Sequence, residues 1–196
     1  MAKLYFHYST MNAGKSTILL QADYNYRERG MRTLLYTAAI DDRRGVGRIS
    51  SRIGIEAEAR CFAAGHDLHE EIAAEHSANP VACVLVDEAQ FLEPRQVWQL
   101  ARVADEVGVP VMTYGLRTDF RGEPFPGSST LLAVADTLRE IRTICHCGRK
   151  ATMVVRKGAE GAVVTDGAQV QIGGDETYVP LCRVHWREAF GGAARV

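Results

Sequence analysis

The stretch Ser9-Thr10-Met11-Asn12-Ala13-Gly14-Lys15-Ser16 constrains this chain more than any other, because it joins an apolar run, Leu4 to Tyr8, to a helix-like run starting near Thr17. A strand that enters a helix through Gly-Lys-Ser reads as a phosphate-binding loop. Free backbone N–H groups and the positive end of the helix dipole face the anion, the lysine reaches the β/γ-phosphates, and the hydroxyl takes Mg²⁺. Gly14, Lys15 and Ser16 suit those roles. Ser9 stands where the pattern G-x-x-x-x-G-K-[ST] has its first glycine, so the turn is entered by a residue that carries a Cβ.

Around that loop, 196 residues with 46% hydrophobic content suffice for one domain of ordinary size with a buried core, plus a small appendage. A formal net charge of -1 gives no general attraction to nucleic acid or to an anionic membrane, so neither is expected as a partner. No apolar stretch approaches the roughly 18 residues that span a bilayer, and the first residues lack the basic-then-apolar order of a signal peptide. The expected location is cytoplasmic. Five cysteines, an odd number at uneven spacing, argue against a secreted disulfide framework.

The periodicity predicts strands at Leu4–Tyr8, Thr33–Tyr36, Ala82–Val86 and Val109–Tyr114, with helices at Thr17–Arg29, around Leu68–His76 and at Pro94–Val107. Alternation of this kind belongs to an α/β fold, a parallel sheet flanked by helices. The glycine- and arginine-rich patch Asp41 to Gly54 reads as a mobile loop. After about Ile144 the style changes to short glycine-rich strands, Thr152–Arg156, Ala162–Val164 and Val170–Ile172, with cysteines at both ends. The expected division is a nucleotide-binding unit over 1–143, a small unit over 144–190, and a tail over 191–196.

Val84-Leu85-Val86-Asp87-Glu88-Ala89-Gln90 is an apolar strand that ends abruptly in two carboxylates. In a phosphate-loop fold a strand adjacent to the first delivers an acid to the metal, which places Asp87 with Ser16 on Mg²⁺. Glu88 is then left to take a proton from a substrate hydroxyl. An NTPase that moves nucleic acid shares these parts, but it needs a second lobe and a basic track that this chain lacks. A kinase with a small acceptor fits better. The stretch Tyr114 to Phe125 leaves a strand at its carboxyl end, the ligand-binding edge of an open α/β sheet, and Leu116, Phe120 and Phe125 there can wall a slot for a flat base.

Cys145-His146-Cys147 and Cys182-Arg183-Val184-His185 supply three thiolates and one imidazole, a closed donor set for structural Zn²⁺. Cys145, Cys147, Cys182 and His185 are the expected ligands. One residue separates the first two cysteines where zinc ribbons usually have two, which leaves His146 as an alternative donor. Cys61 and Cys83 read as small buried hydrophobes, Trp98 as packing or a subunit contact, and His7, His66, His69 and His76 as surface or satisfied core histidines.

Met11-Asn12-Ala13-Gly14-Lys15-Ser16, Asp41-Asp42-Arg43, Asp87-Glu88-Ala89-Gln90-Phe91, Gly115-Leu116-Arg117-Thr118-Asp119-Phe120 and Ile172-Gly173-Gly174, in that order, resemble the type II, cytosolic-type thymidine kinases, the bacterial form most closely. The similarity runs from Leu4 to about Ala189. It implies transfer of the γ-phosphate of ATP to the 5′-hydroxyl of thymidine or deoxyuridine, giving dTMP for the salvage of DNA precursors, with Glu88 as base. It also implies a P-loop core of RecA-like type, a small zinc-ribbon domain, a homotetramer and feedback inhibition by dTTP.

Matched residue by residue, Ser9 to Ser16 with Asp87, Glu88, Ala89 and Gln90 correspond to the family's ATP site, and Asp41 and Arg43 to positions near the phosphates. Met11, Phe91, Leu116, Phe120 and Phe125 match its nucleoside pocket. Gln169, Val170, Gln171, Ile172 and Gly173, with Tyr178, match the loop whose main chain reads the base edge. A site that satisfies thymine's donors and acceptors is expected to reject cytosine, because its own buried groups would be left unpaired. The alternative from another class is a zinc-ribbon, ATP-dependent nucleic-acid-binding protein, which the missing basic stripe disfavours.

Overall fold

The structure, a computed structural model, describes residues 1–41, 45–158, 161–170 and 177–191. Its first part runs β1 (Leu4–Ser9), α1 (Lys15–Glu28), β2 (Thr33–Ala38), β3 (Arg48–Ser50), β4 (Glu56–Glu58), β5 (Arg60–Phe62), α2 (Leu68–Ala78), β6 (Cys83–Val86), α3 (Pro94–Arg102), β7 (Val111–Leu116), α4 (Pro126–Val134) and β8 (Thr137–Glu140). Then follow β9 (Thr143–Ile144), β10 (Lys150–Ala151), β11 (Met153–Lys157), β12 (Val163–Val164), β13 (Tyr178–Leu181) and α5 (Arg183–Ala189).

Six strands form one parallel sheet in the order β5-β2-β6-β7-β1-β8. Every residue of β2 and β6 is buried, which is what a strand covered on both faces requires. Their side chains alternate between two cores. Leu34, Tyr36, Val84 and Val86 pack with Ile72 of α2, Val97 of α3 and Leu131 of α4, whereas Leu35, Cys83 and Leu85 pack with Leu19 and Leu20 of α1. α3 begins with proline in its first turn and a capping box, in which the backbone N–H of Glu93 donates to Gln96 Oε1 at 3.0 Å.

Several sequence expectations change here. The acid strand β6 is not a neighbour of β1, since β7 lies between them. The 41–54 patch is not all loop, because β3 and β4 pair antiparallel with Ile49 buried. The Pro94–Val107 helix is regular only to Arg102 and closes in a wider turn over Val103–Val107, ended by the left-handed Gly108. Val170 is not in a strand, while 171 and 172, like the tail from 192, lie outside the described residues. α4, β5 and β8 carried no prediction.

After β8 come a two-stranded sheet, β10-β9, and a three-stranded one, β12-β11-β13. Their core is small: Cys145, Ala151, Val155, Leu181, Cys182 and Trp186. It is joined to the large sheet by a seam of side chains on carbonyls. Thr10 Oγ1 donates to the Met153 carbonyl at 3.2 Å, Asn12 Nδ2 to that of Tyr178 at 3.3 Å, and Arg117 Nη2 to that of Thr152 at 3.3 Å. Trp186 Nε1 donates to the Phe120 carbonyl at 3.0 Å and the Val154 carbonyl at 3.1 Å, one from each side of the seam.

Candidate active site

The carboxyl ends of β1, β6 and β7 open on a cavity of about 370 Å³, an ordinary size for a small-ligand site. Its wall includes Met11 to Ser16, Asp41, Asp87, Glu88 and Gln90, together with Phe91, Leu116, Phe120, Phe125, Gln169, Val170 and Tyr178. Ser9, Thr10 and Ala89 are not in its wall, and Arg43, Gln171, Ile172 and Gly173 lie outside the described residues. Val154 and the β3–β4 hairpin residues Arg48 to Ile53 also border it, which no sequence motif announced, as does Asp119 of the Gly115–Phe120 motif.

At the phosphate end α1 begins on Gly14, left-handed at φ 78, with no side chain capping the first turn. Its first amides are therefore available to an anion. Lys15 is buried, with Nζ donating to the Thr10 carbonyl at 3.0 Å, so the lysine bridges the loop it belongs to. The Ser9 hydroxyl donates to the Ile141 carbonyl at 2.5 Å and thereby ties the loop entry to the residue after β8. A glycine there would lose that tie.

Asp87 is 4% exposed and accepts the Glu88 backbone N–H at 3.0 Å. Burial first, then the Glu88 carboxylate, push its carboxyl up to about 7, against the Ser16 hydroxyl, that backbone donor and Lys15. A buried acid beside a hydroxyl, held at a cost in its charged form, is a donor pair that a divalent cation would relieve. Glu88 stands at φ 52, ψ 37, one of two non-glycine residues at positive φ among those described; the other is Asn12 at φ 62. Each such conformation costs on the order of 1 kcal/mol or more and gathers where function aims a side chain. Gln90, buried, takes the Leu116 N–H at 3.0 Å on Oε1 and donates through Nε2 to Glu88. A Cβ on Gly115 would stand 3.0 Å from the Gln90 backbone N and Oε1, so glycine there lets β7 approach the turn that follows the acid pair.

At the apolar end the Phe91 and Phe125 rings meet edge to face, 6.0 Å apart at 81°. Asp119, 3% exposed, holds the turn beyond β7: Oδ1 accepts the N–H groups of Arg121 and Glu123 at 2.9 and 2.8 Å, and Oδ2 accepts Gln169 Nε2 at 3.3 Å. Its part was invisible in the sequence, because one of those partners lies fifty residues on.

One donor atom from each of Cys145, Cys147, Cys182 and His185 lies within 4.8 Å of the others. Cys145 Sγ and Cys182 Sγ stand 3.3 and 3.5 Å from His185 Nδ1, and Cys147 Sγ is 4.0 Å from Cys182 Sγ. Zn–S and Zn–N bonds of usual length give tetrahedral edges of about 3.8 Å between sulfurs and about 3.5 Å from sulfur to nitrogen. The cluster fits a tetrahedral metal. His146 stacks on His185 at 4.2 Å, with its Nδ1 3.7 Å from Cys145 Sγ.

A parallel sheet whose carboxyl edge carries a Gly-Lys-Ser loop, an Asp-Glu pair and an aromatic-lined cavity has the make-up of a P-loop phosphotransferase. The thymidine kinase family model matches residues 2–186, and the chain belongs to that family. Thymidine kinase of Agrobacterium fabrum is 67% identical over 190 residues, 97% of this chain and 98% of the relative. That of Ruegeria pomeroyi is 69% identical over 191 residues, 97% and 96% of the two chains. The solved Pif1 helicase from Candida albicans covers 73% of this chain and 36% of its own at 15% identity and TM-score 0.42, too distant to carry an argument.

Proposed function

We propose that this chain phosphorylates the 5′-hydroxyl of thymidine, and of deoxyuridine, with ATP, yielding dTMP and ADP. The observation that carries the reading is Glu88, bonded by Gln90 and lining the same cavity as Lys15, Ser16 and Asp87 and as Phe91, Phe120 and Phe125. Lys15 and the α1 amides bind the phosphates. Ser16 and Asp87 would hold Mg²⁺, which when bound neutralises charge on the phosphate oxygens. Glu88 takes the proton of the 5′-hydroxyl as that oxygen bonds to the γ-phosphorus and the bond to the β-phosphate oxygen breaks. Phe91, Leu116, Phe120 and Phe125 wall the base, with Met11 and Tyr178 beside them, and the main chain of 169–173 reads its edge. Family resemblance supports assigning Asp41 and Arg43 to the phosphates.

The division into a nucleotide unit over 1–143 and a zinc unit over 144–190 belongs to the same reading, supported by the separate small core and the soft donor set of the cluster. Family resemblance is the support for a homotetramer, for dTTP as inhibitor and for a cytoplasmic location; no helix among the described residues is long and apolar enough to cross a membrane. Nothing favours the nucleic-acid-binding alternative. Phosphate transfer from ATP to thymidine, deoxyuridine, deoxycytidine and deoxyguanosine, with and without Mg²⁺, tests the proposal. Metal-dependent turnover of the first two alone is expected. ATP hydrolysis without transfer to any of them would mean the acceptor slot is misread.

A further inference from the structure

Arg156 on β11 is 5% exposed, and phosphoryl transfer gives it no task. Among the described residues its guanidinium is served by neutral groups. Nη1 donates to the Ala168 carbonyl at 2.9 Å, Nη2 to the Asp166 carbonyl at 3.3 Å, Cζ stands 4.0 Å from the centroid of the Phe120 ring, and Nε is buried with no hydrogen-bond partner among the described residues. Burying a cation on such partners is unfavourable unless its contacts offset the loss of water.

Those contacts close a circuit behind the apolar end of the cavity. Phe120 and Gln169 line the cavity, Arg156 does not, and the circuit runs from the Phe120 ring to Arg156, to Ala168, to its neighbour Gln169, and from Gln169 Nε2 back to Asp119 beside Phe120. Gly167 makes room for it. Its φ is +119, and a Cβ there would stand 2.9 Å from Arg156 Nη2.

We propose that Arg156 is a positioning residue for the nucleoside: it fixes the Phe120 ring from behind and, through two main-chain carbonyls, sets how Gln169 and Val170 approach the base. The slot is thus shaped before substrate arrives, which makes Arg156 a determinant of nucleoside affinity and not of ATP affinity or of the chemical step. This rests on the thymidine kinase reading of the same cavity.

The test is steady-state kinetics of R156M and R156K, with KM for thymidine and for ATP, kcat, and the thermal midpoint of each protein. Methionine keeps the apolar stem and removes the charge, while lysine keeps the charge without the planar fork. R156M is expected to raise the thymidine KM about tenfold, as expected for loss of a desolvated cation–π contact, with kcat and ATP KM within about twofold. R156K is expected to recover part of that loss and, should R156M not fold, to carry the test with a thymidine KM raised at least about threefold. In an F120L background the R156M effect is expected to shrink below about threefold, because the ring it acts through is gone. The proposal is overturned by a thymidine KM within twofold of the parent in the folded variants, by both KM values rising together with a lowered midpoint, or by effects of R156M and F120L that multiply in full. Failure of the kinase reading is seen separately, in the parent protein, as no transfer to thymidine.

Discussion

His7 sits on β1, two residues before the phosphate loop, and its protonation should unfasten that strand. The ring is 8% exposed, lies 4.5 Å from Tyr114 at 10°, and has Nδ1 buried without a hydrogen-bond partner among the described residues. A surface or satisfied core histidine was expected there, whereas the ring is buried with Nδ1 unpartnered among the described residues. Burial, and then Arg139, lower its pKa from 6.5 to about 4. The folded chain therefore refuses a proton that the unfolded chain accepts. Stability from this source is complete above the unfolded pKa and is lost as pH falls toward the folded one. From pH 7 to pH 5 about 1.5 pH units of that window are crossed, and at about 1.36 kcal/mol per unit the loss is about 2 kcal/mol. His7→Phe keeps a ring against Tyr114 and cannot titrate. Asp87, raised by burial, titrates with the opposite sign but is common to both proteins, so the difference between them isolates His7. Urea unfolding at the two pH values, at equal metal content, should show the parent losing about 2 kcal/mol more than the variant. Parallel losses would refute the reasoning.

Two further perturbations bear on the site. Glu88→Gln is expected to lower kcat by about 10²- to 10⁴-fold with little change in ATP KM, and near-normal turnover would remove Glu88 from the role of base. Stripping metal from the cysteine–histidine cluster is expected to lower the unfolding midpoint and raise the thymidine KM, because Trp186, next to His185 of that cluster, bonds the carbonyls of both Phe120 and Val154. Full activity with an unchanged midpoint in protein shown to be free of metal would break that link.

The phosphate loop, the acid pair and the cysteine pairs were legible because their chemistry is written in consecutive residues. The aromatic wall was legible once Val109–Tyr114 could be read as a strand ending at the ligand edge, although the strand itself runs Val111–Leu116. What stayed hidden depends on distant packing. α4 begins Pro-Gly-Ser-Ser, which reads as a turn, yet Gly127 is required inside a helix because a Cβ there would stand 2.5 Å from the Leu92 carbonyl. β8, Thr-Leu-Arg-Glu, has no apolar run, since it is an edge strand paired only with β1 in the sheet. The insertion of β7 between β1 and β6 is a matter of strand order that periodicity cannot carry. The bonds from Gln90 to Leu116, from Asp119 to Gln169 and from Arg156 to Ala168 join residues far apart in the chain, and the local sequence gives no sign of them.

Three bonds of the seam between the two sheets run in the same direction. Thr10, Asn12 and Arg117 donate from the nucleotide side, and the acceptors opposite are main-chain carbonyls of Met153, Tyr178 and Thr152. A carbonyl is supplied by any residue, so these bonds place no demand on which side chains β11 and β13 carry. Val154 and Tyr178, both in the cavity wall, are thereby free to be exchanged for other shapes without loosening the joint. Substrate preference in this architecture can drift from the small sheet while the phosphate loop and its donors stay as they are.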